Sequence, residues 1–312
     1  MLASLIPFFL VARVAVDETA WKYGPEYIFN IEMNIMELTN PMHSDAVQRS
    51  NYTVMNMFCR PKSFDKLNCR LANAKRLSID VTNNNQLDIP EEEMKHLYSE
   101  EPFDIKFNEY GIDYLLVNDQ IPVGNLNDIK LIAERLSIGV DLNGIPDGVF
   151  EIFENSTVGQ CSVTVGVHHY PSTKMMHKIK NPRYELESLP QLNKVPSEAI
   201  IIQKMTNLNN CSSYASFYFG SYGNNVVESD LQSHLANSIS RIYVSDYQFD
   251  SSLTRNGTIG SEKMNNLVVI SQHVGLTLSD IRAAKRELPE LFDASKTTIM
   301  ANADVDKFYP MK

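Results

Sequence analysis

Residues Leu126 to Leu136 read LNDIKLIAERL, and this stretch limits what the chain can become. Leu126, Ile129, Ala133 and Leu136 recur at helical spacing and mark one face. Leu131 and Ile132 extend the apolar surface well past that stripe. The spacing therefore predicts a helix that is largely enclosed rather than laid on a surface. Enclosure leaves Lys130, Glu134 and Arg135 in need of polar partners or a route to water.

The chain around this helix reads as strands. In Tyr27–Ile35, Phe29, Ile31, Met33 and Ile35 share one face at a period of two. Thr53–Cys59 is a second strand, followed by a polar loop from Arg60 to Asn68. Phe103–Phe107 and Tyr110–Val117 form a hairpin turning at Asn108-Glu109. Cys161–Val167, Ala199–Met205, Ser213–Phe219, Ile239–Val244 and Leu267–Ile270 follow, alternating or rich in β-branched residues. Pro90–Tyr98 reads as a short helix, with proline and three carboxylates suited to a first turn. Ser279–Leu288 fits a helix capped by Ser279 and ended by Pro289, and equally a continuing strand. The expected fold is mainly β: a large antiparallel β-barrel wrapped around one central α-helix, plus one short peripheral helix.

At 312 residues and 43% hydrophobic, the chain can bury a sizeable core. A net charge of −10 argues against nucleic acid or an anionic membrane as the default partner. Leu2–Ala12 is an apolar run too short to span a bilayer. It fits the core of an export signal cut after Ala15 or Val16; a buried N-terminal strand is the competing reading. Four Asn-x-Ser/Thr tripeptides begin at Asn51, Asn155, Asn210 and Asn256, and each accepts a glycan only in the secretory pathway. The four cysteines Cys59, Cys69, Cys161 and Cys211 allow three pairings. Cys59–Cys69 with Cys161–Cys211 is favoured, because two strands joined by the 60–68 loop bring the first pair together. No later stretch approaches the length of a membrane span.

Chemistry is sparse. His168-His169 and His177 invite a metal reading, but adjacent residues on a strand face opposite ways, and ordinary strand and loop histidines fit better. Glu91–Glu93 and Glu100-Glu101 read as solvated helix ends, and Lys285-Arg286 as a solvated loop pair rather than a processing site. The sequence holds no Gly-rich phosphate loop, G-x-S-x-G or H-E-x-x-H motif. Neither an enzyme, a metal site nor a cofactor is expected. Tyr170–Arg183 carries Lys174, Lys178, Lys180 and Arg183 and is the most basic stretch of an acidic chain. Exposed, it would dock the acidic modules of an uptake receptor.

Six segments in order then resemble a known family. They are Trp21-x-x-Gly24-x-Glu26-Tyr27; Pro102-Phe103-Asp-Ile-Lys-Phe with Gly111 and Val117; Asn127-Asp-Ile-Lys-Leu-Ile; Val158-Gly-Gln-Cys161-Ser-Val; Asn207-Leu-Asn-Asn-Cys211; and Ser240-Arg241-Ile-Tyr-Val. Together they are similar to the N-terminal region of the large lipid transfer proteins: vitellogenins, apolipophorins and the microsomal triglyceride transfer protein, with the insect vitellogenin-like branch nearest. The resemblance runs from about Trp21 to about Thr277. It implies a β-barrel around the helix at Asn127–Leu136 and a disulfide Cys161–Cys211. Cys59 and Cys69 lie outside its pattern. It also implies extracellular lipid transport, often as a yolk precursor taken up through a receptor of the lipoprotein-receptor type. The organisation expected is a signal peptide over 1–16, a barrel domain over 17–284, and a tail or linker over 285–312 toward a helical domain. In that scheme the barrel mediates receptor or intra-carrier contacts, and lipid is held by domains further along. A truncated, secreted, barrel-only binding or immune-recognition protein is the alternative.

Overall fold

The computed structural model describes residues 2–6, 10–14, 21–39, 47–63, 65–82, 85–88, 92–93, 100–108, 111–139, 142, 146–171, 184–188, 198–215, 218–219, 232–261, 266–301 and 306–307. In chain order, β1 (Leu2–Ile6) and β2 (Leu10–Val14) precede the long strands β3 (Pro25–Thr39), β4 (Val47–Ser63) and β5 (Lys66–Thr82). Then come β6 (Asn85–Asp88), β7 (Glu92–Glu93), β8 (Phe103–Asn108), β9 (Gly111–Asn118) and the helix α1 (Val123–Glu134). The second half holds β10 (Gly148–Asn155), β11 (Gly159–Pro171), β12 (Tyr184–Ser188), β13 (Glu198–Tyr214), β14 (Gln232–Val244), β15 (Phe249–Ser261) and β16 (Asn266–Ala283). β17 (Ala294–Thr297) and β18 (Asp306–Lys307) end it.

Alternation decides the main sheet. On β3, Tyr27, Phe29, Ile31 and Met33 are buried and Ile35 is half-buried, while Asn30 and Glu32 face water. Met55, Met57 and Cys59 on β4 continue the same inner face. The main sheet has 15 strands, with the ladder β10-β11-β13-β14-β15-β16-β3-β4-β5-β8-β9-β17-β18 and β6 and β7 paired onto β5. Strand pairings among the described residues are antiparallel, and the central β16–β3 ladder joins an early strand to a late one.

The helix is enclosed as its apolar coverage requires: every residue from Leu126 to Glu134 is buried. Leu126, Ile129, Leu131 and Ile132 belong to the main core with Phe29, Phe103 and Phe249. Each such side chain contributes about 1.5–3 kcal/mol by leaving water.

The expected barrel is not closed. Closure needs β9 beside β10, but the second edge of β9 is occupied: Leu115–Asn118 pair with Thr297–Ala294 of β17. β10 pairs with β11 alone, so its other edge is one open end of the sheet among the described residues. Ala294–Thr297 is part of the sheet, and Ile299 and Ala301 are buried.

Three local expectations also change. The 60–68 loop is mostly ladder, since β4 runs to Ser63 and β5 resumes at Lys66. The short helix expected at 90–98 is described only at Glu92–Glu93, whose backbone forms β7 opposite Arg76 and Lys75. The hairpin at 103–117 forms, with its register closing on Asn108 and Gly111, so the turn lies one residue further along. Of the two readings left open for Ser279–Leu288, the continuing strand is the one that forms, since β16 runs on to Ala283 against Pro25–Tyr27. Leu2–Ile6 and Leu10–Val14 form the β1–β2 hairpin, and β2 pairs with β12 to make a separate three-stranded sheet.

Candidate functional site

The polar residues of the enclosed helix find partners, and these define the molecule's one concentrated group of buried charges among the described residues. Arg255 sits at an inward position of β15 and is 1% exposed. Its guanidinium lies 3.5 Å from the Glu134 carboxylate and also donates to the Thr157 hydroxyl. Glu134 accepts from the Thr157 backbone amide at 3.1 Å and from the Thr157 hydroxyl. Arg135 reaches its neighbour Glu134 at 2.7 Å and donates to the Ser252 carbonyl at 3.3 Å. Burial alone would push the Glu134 carboxyl up, but Arg135, Arg255 and the Thr157 hydroxyl outweigh it and hold it at about 2. Burial lowers the Arg255 guanidinium to about 10, against the opposing pull of Glu134.

A second pair ties down the segment leaving the helix. Lys204 of β13 bonds Glu154 of β10 at 2.6 Å and also donates to the Ser137 and Ile138 carbonyls at 3.3 and 3.1 Å. Burial raises the Glu154 carboxyl, and Lys204 only partly opposes it. Lys130 pairs with no carboxylate among the described residues. Its ammonium donates to the Met300 carbonyl at 2.9 Å, and burial lowers it to about 8.

The turn between β10 and β11 delivers Thr157 to this cluster. Ser156 and Gly159 close it through reciprocal backbone hydrogen bonds of 2.9 and 3.2 Å. Gly159 has φ +141°, and a Cβ there would run into the Ser213 carbonyl, so only glycine lets the turn lie against β13. The result is a clamp. It fixes the helix by charge pairing and offers no nucleophile or open coordination position to solvent. Among the described residues, no group of three or more His, Cys, Asp or Glu is placed to hold a metal ion.

The cysteines join as Cys59–Cys69 and Cys161–Cys211. Each pair is directly opposed across a ladder. At the second, Cys161 faces Cys211 while Ser162 faces Asn207, so residues 208–210 bulge out of β13 and the disulfide pins the bulge. Asn155 and Asn210 are exposed. Asn51 is half-buried on the core-facing side with Ile35 and accepts from the Ser78 hydroxyl at 2.7 Å. Asn256 donates to Asn237 at 3.0 Å.

Lys174, Lys178, Lys180 and Arg183 lie outside the described residues, as does His177. His168 and His169 separate as strand neighbours must: His168 is exposed, and the His169 ring pairs with Asp147. Glu100 and Glu101 are exposed. Lys285 and Arg286 are exposed too, and the Arg286 carbonyl accepts from Arg60 at 2.8 Å. Sequence reasoning missed Arg255, Thr157, Glu154 and Lys204. One signal was present: Arg255 falls on the inward alternation of Leu253 and Ile259, where an arginine implies a buried counter-charge.

Comparison with known proteins follows this geometry. A family model described as the vitellogenin N-terminal domain matches residues 23–278. A solved structure titled as lipid–protein interactions in lipovitellin has the same fold, with a TM-score of 0.55 and 12% identity over 93% of this chain. The chain spans 28% of the length of that lipovitellin chain. No curated protein matches the sequence.

Proposed function

The chain belongs to the vitellogenin N-terminal domain family, and from that premise we propose that it is the β-rich N-terminal module of a secreted, vitellogenin-like lipid carrier, of the insect type. The family match over residues 23–278 is the observation that carries this reading. In this role the module makes protein contacts, with an uptake receptor or with other parts of the carrier, and stores little lipid itself. The filled interior supports that division of labour, since α1 and the inner faces of the strands pack on each other as one apolar cluster. Two disulfides fit an oxidising compartment. No helix among the described residues is long and apolar enough to cross a membrane.

The docking face is the basic segment Lys174, Lys178, Lys180 and Arg183. The test uses the full chain in two assays: flotation with phosphatidylcholine vesicles carrying triolein, and binding to soluble acidic receptor repeats. The module is expected to stay out of the floated lipid and to bind the repeats, with charge reversal at the four basic positions weakening binding. Strong retention on lipid would overturn the contact role. Unchanged receptor affinity after charge reversal would overturn the docking face.

A further inference from the structure

We propose that Asn155 carries an N-linked glycan whose first N-acetylglucosamine lies on the ring of Phe153. The inference rests on the export reading above, because only that route supplies the glycan donor.

The argument starts from strand geometry. On β10, Phe150 and Ile152 turn inward and pack against the core, while Val149, Glu151, Phe153 and Asn155 face out. Phe153 and Asn155 are two residues apart on one strand, so their side chains leave the same face about 6.6–6.8 Å apart. That separation suits a sugar attached at one position and lying over the other. Phe153 is 57% exposed, a large aromatic surface left in water at the open end of the sheet. A pyranose ring presents a face of C–H bonds, which is attracted to the negative face of an aromatic ring. Stacking would cover Phe153 and shield an unpaired strand edge of the kind that invites pairing with other chains.

The four acceptor positions are not equivalent. The Asn155 amide is exposed and has no hydrogen-bond partner among the described residues. Asn51 faces the core side beside Ile35 and is tied to Ser78. Asn256 spends its amide on Asn237. Asn210 is exposed, but Leu208 stands two residues before it, and its sequon contains the disulfide-bonded Cys211. Of the four, only Asn155 has a phenylalanine at that spacing.

The transfer itself is balanced by a polyprenyl-diphosphate-linked oligosaccharide. The Asn155 Nδ2 attacks C1 of the first sugar, the N–C1 bond forms and the C1–O bond to phosphate breaks. The polyprenyl diphosphate leaves, and the amide proton passes to a base. The sequon hydroxyl belongs to Thr157, which in the folded protein is 1% exposed and engaged by Glu134 and Arg255. Transfer must therefore precede closure of the β10–β11 turn onto the helix.

The test expresses the full chain in eukaryotic cells behind a heterologous export leader, and in parallel with its own first residues. Glycan occupancy is read by peptide mapping after enzymatic release. Occupancy at Asn155 with none at Asn51 is expected; an unmodified Asn155 in secreted, folded protein overturns the site. Thermal midpoints are then compared for the parent, Phe153→Ala, Asn155→Gln and the double variant. Each single change should lower the midpoint by about 2–4 °C, and the double variant should fall little further. Additive losses would overturn the stacking. Failure of secretion with the native N-terminus alone would sink the export reading, while the heterologous arm still decides the glycan.

Discussion

Replacing Lys130 by Met should stabilise the protein at neutral pH. Lys130 is fully buried in the middle of α1, and its ammonium donates to one carbonyl, that of Met300. Burial lowers its ammonium from the ordinary 10.5 to about 8. At 1.36 kcal/mol per unit, keeping the charge inside at pH 7 costs about 3 kcal/mol relative to the neutral amine. Methionine keeps the length and the helix preference of lysine, and leaves the Met300 carbonyl without its donor at a cost of about 1 kcal/mol. The net expectation is a gain of about 2 kcal/mol. The sign with pH follows from the direction of the shift. A depressed amine contributes stability that is present above the unfolded value of 10.5 and lost as pH falls through about 8. The advantage of Lys130→Met should therefore shrink as pH rises from 8, and reverse before pH reaches 10.5. Urea unfolding at several pH values, followed by the fluorescence of the single tryptophan Trp21 at the edge of the core, measures this. A variant less stable than the parent at pH 7, or a difference that ignores pH, would refute the reasoning.

Glu134→Gln should cost about 3–5 kcal/mol, because it leaves Arg135 and Arg255 buried without their counter-charge. The Glu134 carboxylate contributes stability above the ordinary glutamate range that is lost as pH falls toward about 2, so the variant should show a flatter acid-unfolding limb by circular dichroism. The disulfides close separations of 10 and 50 residues. By chain entropy, paired Cys→Ala changes should cost about 2.7 kcal/mol at Cys59–Cys69 and about 4.1 kcal/mol at Cys161–Cys211; equal losses in denaturant titrations would contradict that account. Gly159→Ala should cost about 1–3 kcal/mol by forcing the turn off β13, seen as faster hydrogen exchange at the Thr157 amide; unchanged protection there would show that the turn tolerates a side chain.

What was legible in the sequence was whatever a local period encodes. Phe29, Ile31 and Met33 specify an inward face by alternation alone, and the wide apolar girth of 126–136 specifies an enclosed helix. Partner choice was not legible. Glu134 meets Arg255 across 121 residues, and nothing local in either segment encodes the register that joins them. The Ala-Ser-Lys-Thr of β17 has little strand preference of its own and becomes a strand because β9 offers an edge. That late strand is also why the expected closure fails. Pro61, Lys62 and Ser63 read as loop, yet they extend β4 beyond a disulfide that holds the two strands in register.

The ladder between β3 and β16 carries a consequence for synthesis. Glu26 and Arg282 are bonded across 256 residues, so the first long strand leaves the ribosome well before its neighbour exists. At about 5–20 residues per second, the wait is roughly 13–50 s. Through that interval β3 can pair only with β4, and a whole edge of apolar strand stands open to other nascent chains. The Cys59–Cys69 bridge needs only the β4–β5 hairpin, so oxidation can fix a three-stranded β3–β4–β5 unit while translation continues. Folding in the cell then becomes a problem of waiting. The β3 edge is closed only when β16 arrives, late in synthesis.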